Sequence, residues 1–231
     1  MAKNNKTSLT LTKSELWIGW LWLLFELFLL PTLLVMVNVW ANYPLGSAWI
    51  NFIYFCINFV AVLVIFRRLL GHSIIHLGSN FPRCVKAAFL GFCVYYVTTL
   101  AMTNLIEFLY PGFSNINDSN VSSLARLEYV PMVIGTVILV PITEEILFRG
   151  LVFRSLYAKN RLLGYMLSTV IFCAVHIMAY IGSAEPMTLA LCFIQYIPAS
   201  LCLAWAYAEA DNIFAPILIH TAVNLMGILA L

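Results

Sequence analysis

What limits this chain most is a series of seven long apolar stretches, at residues 16–40, 48–66, 87–106, 129–157, 162–180, 187–208 and 213–231, separated by more polar segments, the longest of them 67–86 and 107–128. About 20 apolar residues is the length at which a helix crosses the hydrocarbon core of a bilayer. In lipid every backbone polar group must be paired within its own segment, which favours helices over open sheets. Composition agrees, with 63% hydrophobic and 10% charged residues and a mean hydropathy of +0.95. Soluble domains hold about half apolar and about a quarter charged residues. The expected fold is an all-α, polytopic membrane helix bundle of seven spans, or eight if the long first or fourth stretch breaks in two. Pro31 is expected to kink the first stretch, while the fourth is expected to continue past Pro141. The first stretch is too long for the apolar core of a signal peptide, and no small-residue cleavage site follows it. It is therefore expected to stay as a span. The chain divides into N-terminal helices one to three (residues 1–128) and a core of helices four to seven (residues 129–231), within one membrane domain.

The loops set an expected orientation. Lys3, Lys6 and Lys13 lie before the first span, Arg67, Arg68, Arg83 and Lys86 after the second, and Arg154, Lys159 and Arg161 after the fourth. The alternate loops are uncharged or acidic, so the positive-inside rule puts the N-terminus in the cytoplasm of a multi-pass cell-membrane protein. A net charge of +2 gives no reason to expect a nucleic-acid partner. The six cysteines form no C-x-x-C pair and are read as small packing residues.

Ionisable residues inside spans cost about 2.5–3.5 kcal/mol each near the bilayer centre, which marks them as functional candidates. Glu144, Glu145 and Arg149 lie in the fourth stretch, His176 in the fifth, and His220 with Asn224 in the seventh, while Glu26 stands alone in the first. Glu145 and Arg149 are i,i+4 with the acid first, the favourable order for an intrahelical ion pair, and are read as supporting residues. Glu144 is rotated by about 100° from Glu145, leaving its carboxylate free. His220 and Asn224 share a helical face. With the turn between the fourth and fifth helices placed at Asn160, Glu144 and His176 both lie about 24 Å from it, at matching height on antiparallel neighbours. His220 reaches that level only if the Arg154–Lys159 end protrudes, which would open the site toward the cytoplasmic half.

E-E-x-x-x-R at 144–149, F-x-x-x-H at 172–176 and H-x-x-x-N at 220–224 together resemble the CPBP family, which includes CAAX prenyl endopeptidases and proteins tied to bacteriocin immunity. The resemblance covers about residues 130–227. It implies an intramembrane endopeptidase in which Glu144 is the general base, His176 helps hold and activate water, and His220 and Asn224 donate to the oxyanion. The implied substrate is a membrane-associated peptide or lipidated protein tail. Ala210 stands where the family commonly has Thr, while Asn212, Ala215 and Pro216 are family-like, and Ser200 and Ala204 keep a small-x-x-x-small spacing.

Metal chemistry is the competitor, since His176, His220 and a carboxylate could form a two-His-one-carboxylate zinc site. No H-E-x-x-H helix is present, so catalysis with no cofactor is preferred to zinc. His72 and His76 are read as interfacial, Trp17, Trp20 and Trp22 as an aromatic belt, and Gln195 as interhelical glue. Glu26 is read as a partner of the site or part of its wall rather than a catalyst. The non-enzymatic alternative is an immunity, receptor or scaffold protein using the same cavity for binding.

Overall fold

The computed structural model describes residues 10–231 and shows no strand among them. Lys3 and Lys6, on which part of the expected orientation rests, lie outside the described residues. Nine helices follow one another: α1 (Lys13–Phe28), α2 (Leu30–Trp40), α3 (Ser47–Ile65), α4 (Arg67–Leu109), α5 (Ile116–Leu127), α6 (Tyr129–Tyr157), α7 (Arg161–Met178), α8 (Pro186–Ala210) and α9 (Phe214–Leu229).

All seven apolar stretches are helical. Five helices are long and apolar enough to cross a membrane, or six when α1 and α2 count as one span bent by 46°. That bend falls two residues before Pro31, whose ring nitrogen has no hydrogen to give the preceding turn. The seventh stretch gives a helix of only 16 residues. Its rise of about 24 Å is short of the roughly 30 Å hydrocarbon core.

Two loops turn out to be helical. The segment with His72, His76, Arg83 and Lys86 is the first part of the 43-residue α4, which runs through Pro82 without a break. Residues 107–128, the polar segment between the third and fourth apolar stretches, contain α5. Asn115 starts it, its side chain accepting from the backbone N–H groups of Asn117 and Asp118, which satisfies donors that a helix start leaves open.

α6 carries the polar motif and is irregular in a way the sequence explains. Wide π-helical turns occupy Gly135–Leu139 and Ile146–Phe153, on either side of Val140–Glu145. Pro141 cannot donate to the residue four before it, and the wide turn ahead of it takes up the missing bond. The helix therefore continues, as expected. α6 and α7 form a tight hairpin in which a Cβ on Gly164 would lie 2.8 Å from the Tyr157 Cα. Only a residue without a side chain permits that approach, and it fixes the relative height of the two helices.

The main core joins Phe148, Leu151 and Phe153 of α6 to Phe66, Leu69, Leu203 and Tyr207, all at most 1% exposed. Arg154, expected to protrude, is buried at 7% exposure and bonded to the Tyr207 hydroxyl of α8. Large apolar side chains on the outside of α1 to α4, such as Leu21, Trp40 and Phe89, are exposed. In a bilayer these face the acyl chains.

Candidate active site

Glu144 is the meeting point. Its Oε2 lies 3.9 Å from His176 Nε2 and 4.0 Å from His220 Nε2. The expected matching height of Glu144 and His176 is thus met across the α6–α7 hairpin. His220 arrives from α9, with Arg154 packed against Tyr207 of α8. Two features bring it to that depth: the π turns of α6 advance less per residue, and the α8–α9 turn is drawn inward where Asn212, 1% exposed, donates to the Ser73 carbonyl of α4 at 2.9 Å. His176 sits two residues from the end of α7 that is remote from Asn160. The site therefore lies toward the α5 end of the bundle.

Hydrogen bonds fix what each imidazole presents. His176 Nδ1 lies 2.8 Å from the Phe172 carbonyl, which can only accept. The hydrogen is therefore on Nδ1, and the Nε2 lone pair faces Glu144. His220 Nδ1 lies 2.9 Å from Glu145 Oε1. The same oxygen accepts from Arg149 Nη1 at 3.2 Å, so His220 also donates from Nδ1 and turns Nε2 toward Glu144. Glu144 Oε2 is buried and has no hydrogen-bond partner. Three acceptors thus converge at distances too long for direct hydrogen bonds, an arrangement in which a water can donate to two of them.

Glu145 and Arg149 do more than neutralise each other. Both are 0% exposed, and Arg149 also donates to the Ser200 carbonyl and hydroxyl at 3.2 and 3.3 Å and stacks 4.4 Å over the Phe172 ring. Glu145 holds His220 while Arg149 reaches α7 and α8, so the pair ties the three histidine-bearing and neighbouring helices together. The small-x-x-x-small spacing of Ser200 gives no sign of this acceptor role. Asn224 is placed differently from the other three: its Nδ2 donates to the Thr136 carbonyl at 2.7 Å, one turn beyond His220 on α9. The second amide hydrogen and the carbonyl oxygen of Asn224 take no part in that bond.

The His176 ring is flanked by Phe172 and Tyr196, with centroids 4.4 and 4.3 Å away. Tyr196 is anchored to α5: its hydroxyl donates to Asp118 Oδ1 at 2.7 Å and accepts from Asn117 Nδ2 at 3.1 Å. Gln195 accepts from Asn115 and donates to Thr103, at 2.8 and 3.0 Å, and so links α8 to α5 and α4 as expected. Glu26, 5% exposed, lies in the wall of the cavity that Glu144 also lines, with Tyr54 and Asn58. Tyr54, Asn58 and Tyr196 drew no notice in the sequence. Tyr196 and Asn58 stand in apolar runs with no motif around them, and nothing local says which neighbour they meet.

Fold and cluster together define a multi-pass, all-α membrane protein with a carboxylate and two imidazoles gathered inside the bundle. Comparison with known proteins narrows the class: residues 126–226 match the family described as type II CAAX prenyl endopeptidase Rce1-like. The chain is also similar to the protein named "Putative membrane peptidase YdiL" of Bacillus subtilis (strain 168), at 32% identity over 52% of this chain and 45% of that one. UPF0177 protein YxdF of Lactococcus lactis subsp. lactis (strain IL1403) is 29% identical over 39% of this chain and 44% of its own length. UPF0177 protein YbdI of the same strain is 25% identical over 53% of this chain and 65% of its own. The chain thus spans under half the length of the first two relatives. No solved structure matches it. The matched residues include Glu144, His176, His220 and Asn224, in accord with the CPBP resemblance.

Proposed function

We propose that this chain is an intramembrane endopeptidase that hydrolyses a peptide bond of a membrane-associated or lipidated protein, with Glu144 activating the water. The observation that carries this reading is the unpartnered Glu144 Oε2 facing two imidazole Nε2 atoms at 3.9 and 4.0 Å. A water donating to Glu144 and to His176 is held for attack, and as it adds to the carbonyl carbon its proton passes to the Glu144 carboxylate. When the C–N bond breaks, that proton goes to the leaving amine. His220 donates to the oxyanion from Nε2 once its ring has taken up a proton from solvent, since its Nδ1 hydrogen is already given to Glu145 and the neutral ring presents only a lone pair there. Asn224 offers its second amide hydrogen to the same charge. The Glu145–Arg149 pair positions His220 without touching the substrate.

Two imidazoles and a carboxylate are also a metal-ligand set. Ligands of a tetrahedral zinc with bonds of about 2.0–2.1 Å stand about 3.4 Å apart, whereas these stand 3.9 and 4.0 Å apart. That wider spacing supports a reading in which Glu144 works without a cofactor. Elemental analysis of the purified protein should find no stoichiometric zinc, and chelators should leave cleavage intact. One tightly held zinc per chain overturns the assignment.

The Arg67, Arg68, Arg83 and Lys86 cluster at the start of α4 supports placing that end, and the N-terminus with it, in the cytoplasm. The decisive experiment compares the membrane proteome of cells carrying wild-type protein with that of cells carrying Glu144→Gln. Uncleaved substrate should accumulate with the variant, which should remain folded by thermal unfolding. An identical proteome with folded variant sinks the protease reading, and a cellular phenotype that persists in it points to a binding or immunity role instead.

A further inference from the structure

Hydrolysis consumes a water at every turnover, and the interior of a bilayer holds almost none. A cavity of about 50 Å³ lies between α1, α3 and α6, beside the imidazole cluster, and Glu144 belongs to both. Most of its wall is apolar, with Leu27, Phe55, Val140, Leu147, Phe148 and Val175, and a polar side is set into it. Glu26, Tyr54 and Asn58 face it from the N-terminal helices, outside the residues that match the family.

The polar groups of that wall are arranged with one end open. Trp22 Nε1 donates to Asn58 Oδ1 at 3.1 Å. An indole nitrogen can only donate, so the amide is oriented with Nδ2 as its other end. Asn58 is 2% exposed, and Nδ2, turned toward the Tyr54 oxygen, makes no hydrogen bond of normal length. Tyr54 donates its hydroxyl to Glu26 Oε2 at 3.2 Å, which holds the Glu26 carboxyl against the same space. A buried donor without a partner costs about 1–3 kcal/mol, and a polar cavity of this size with two to four partners is where proteins keep buried water.

We propose that the Glu26–Tyr54–Asn58 cavity is a water site that supplies Glu144. A water there accepts from Asn58 Nδ2 and donates to the Glu26 or Glu144 carboxyl, one step from the imidazole cluster. Glu26, Tyr54 and Asn58 are positioning residues, acting through that water. The inference rests on the reading of Glu144 as the base, yet it is tested without any substrate.

X-ray radiolysis of the full-length protein in detergent generates hydroxyl radicals from bound water, and mass spectrometry locates the side chains they oxidise. Phe148 lines the cavity and is 1% exposed, whereas Phe66 and Phe153 are 0% exposed and line no part of it. Phe148 should be oxidised several-fold faster than either. Asn58→Leu, similar in volume and unable to hold water, should bring Phe148 down to their level. On the substrate found by the proteomic comparison, the same variant should lose about tenfold in kcat with KM unchanged, the effect of one hydrogen bond to the reacting water. Equal oxidation of the three phenylalanines in wild type overturns the proposal whether or not Asn58→Leu folds. Oxidation of Phe148 with no cleavage by wild type leaves the water site standing and removes the protease reading.

Discussion

The helices of the N-terminal half and those of the C-terminal half meet lipid on different terms. In α6, 56% of the most apolar stretch is buried inside the protein, against 17% in α3 and in α4. α2 buries only Leu30. α6 is wrapped by its neighbours and so can carry Glu144, Glu145 and Arg149, while the outer helices carry polar groups either turned inward, as Glu26, Tyr54 and Asn58 are, or bonded back to their own backbone, as Asn104 is to the Leu100 carbonyl. The lesson is that residues outside the recognisable domain complete its cavity, though they look like ordinary spans.

The largest effect expected from this contrast lies at Arg149. Arg149→Met leaves the Glu145 carboxylate buried with His220 as its remaining partner. Breaking a buried pair by removing one member costs about 3–5 kcal/mol, read as a fall in thermal stability in detergent, and the double variant Glu145→Gln/Arg149→Met should recover part of it. If Arg149→Met is as stable as wild type, the C-terminal half is not organised around that pair, and the contrast fails at its strongest point.

A smaller effect tests the bridge between the halves. Tyr196→Phe keeps the ring beside His176 and removes the hydroxyl that binds Asp118 and Asn117. It should cost about 1 kcal/mol and speed hydrogen exchange in α5 while exchange in α7 stays unchanged. Unchanged exchange in α5 shows that its docking does not depend on this bond.

These cases also show what a sequence makes legible. The seven apolar stretches announce seven helices because length and hydropathy are local properties, though only the structure shows that α9 is short of a full span. Glu145–Arg149 is readable because an i,i+4 pair lies on one helix. The meeting of Glu144 with His176 is readable because a short hairpin turns residue counts into heights. The role of Glu145 in holding His220 is not, since it depends on how α9 leans on α6. Arg154 misleads for the same reason: a basic residue near a helix end looks like an interfacial anchor until Tyr207, 53 residues away, is packed against it. α5 is hidden because its sequence is polar and its support is tertiary.

The smallest effect expected is the most pointed test of the contrast, because it uses one chemistry in two settings. Leu151 on α6 is 0% exposed, and Leu21 on α1 is 65% exposed. Leu151→Ala removes packing from the densest part of the bundle and leaves a void, which costs about 2–5 kcal/mol in a folded core. Leu21→Ala changes only a surface that acyl chains cover before and after the helices associate. Lipid is as apolar as leucine, so no hydrophobic term is lost, and the change should stay within about 0.5 kcal/mol. A loss at Leu21 comparable to that at Leu151, measured by unfolding in the same detergent, means that the outer face of α1 packs against protein rather than lipid.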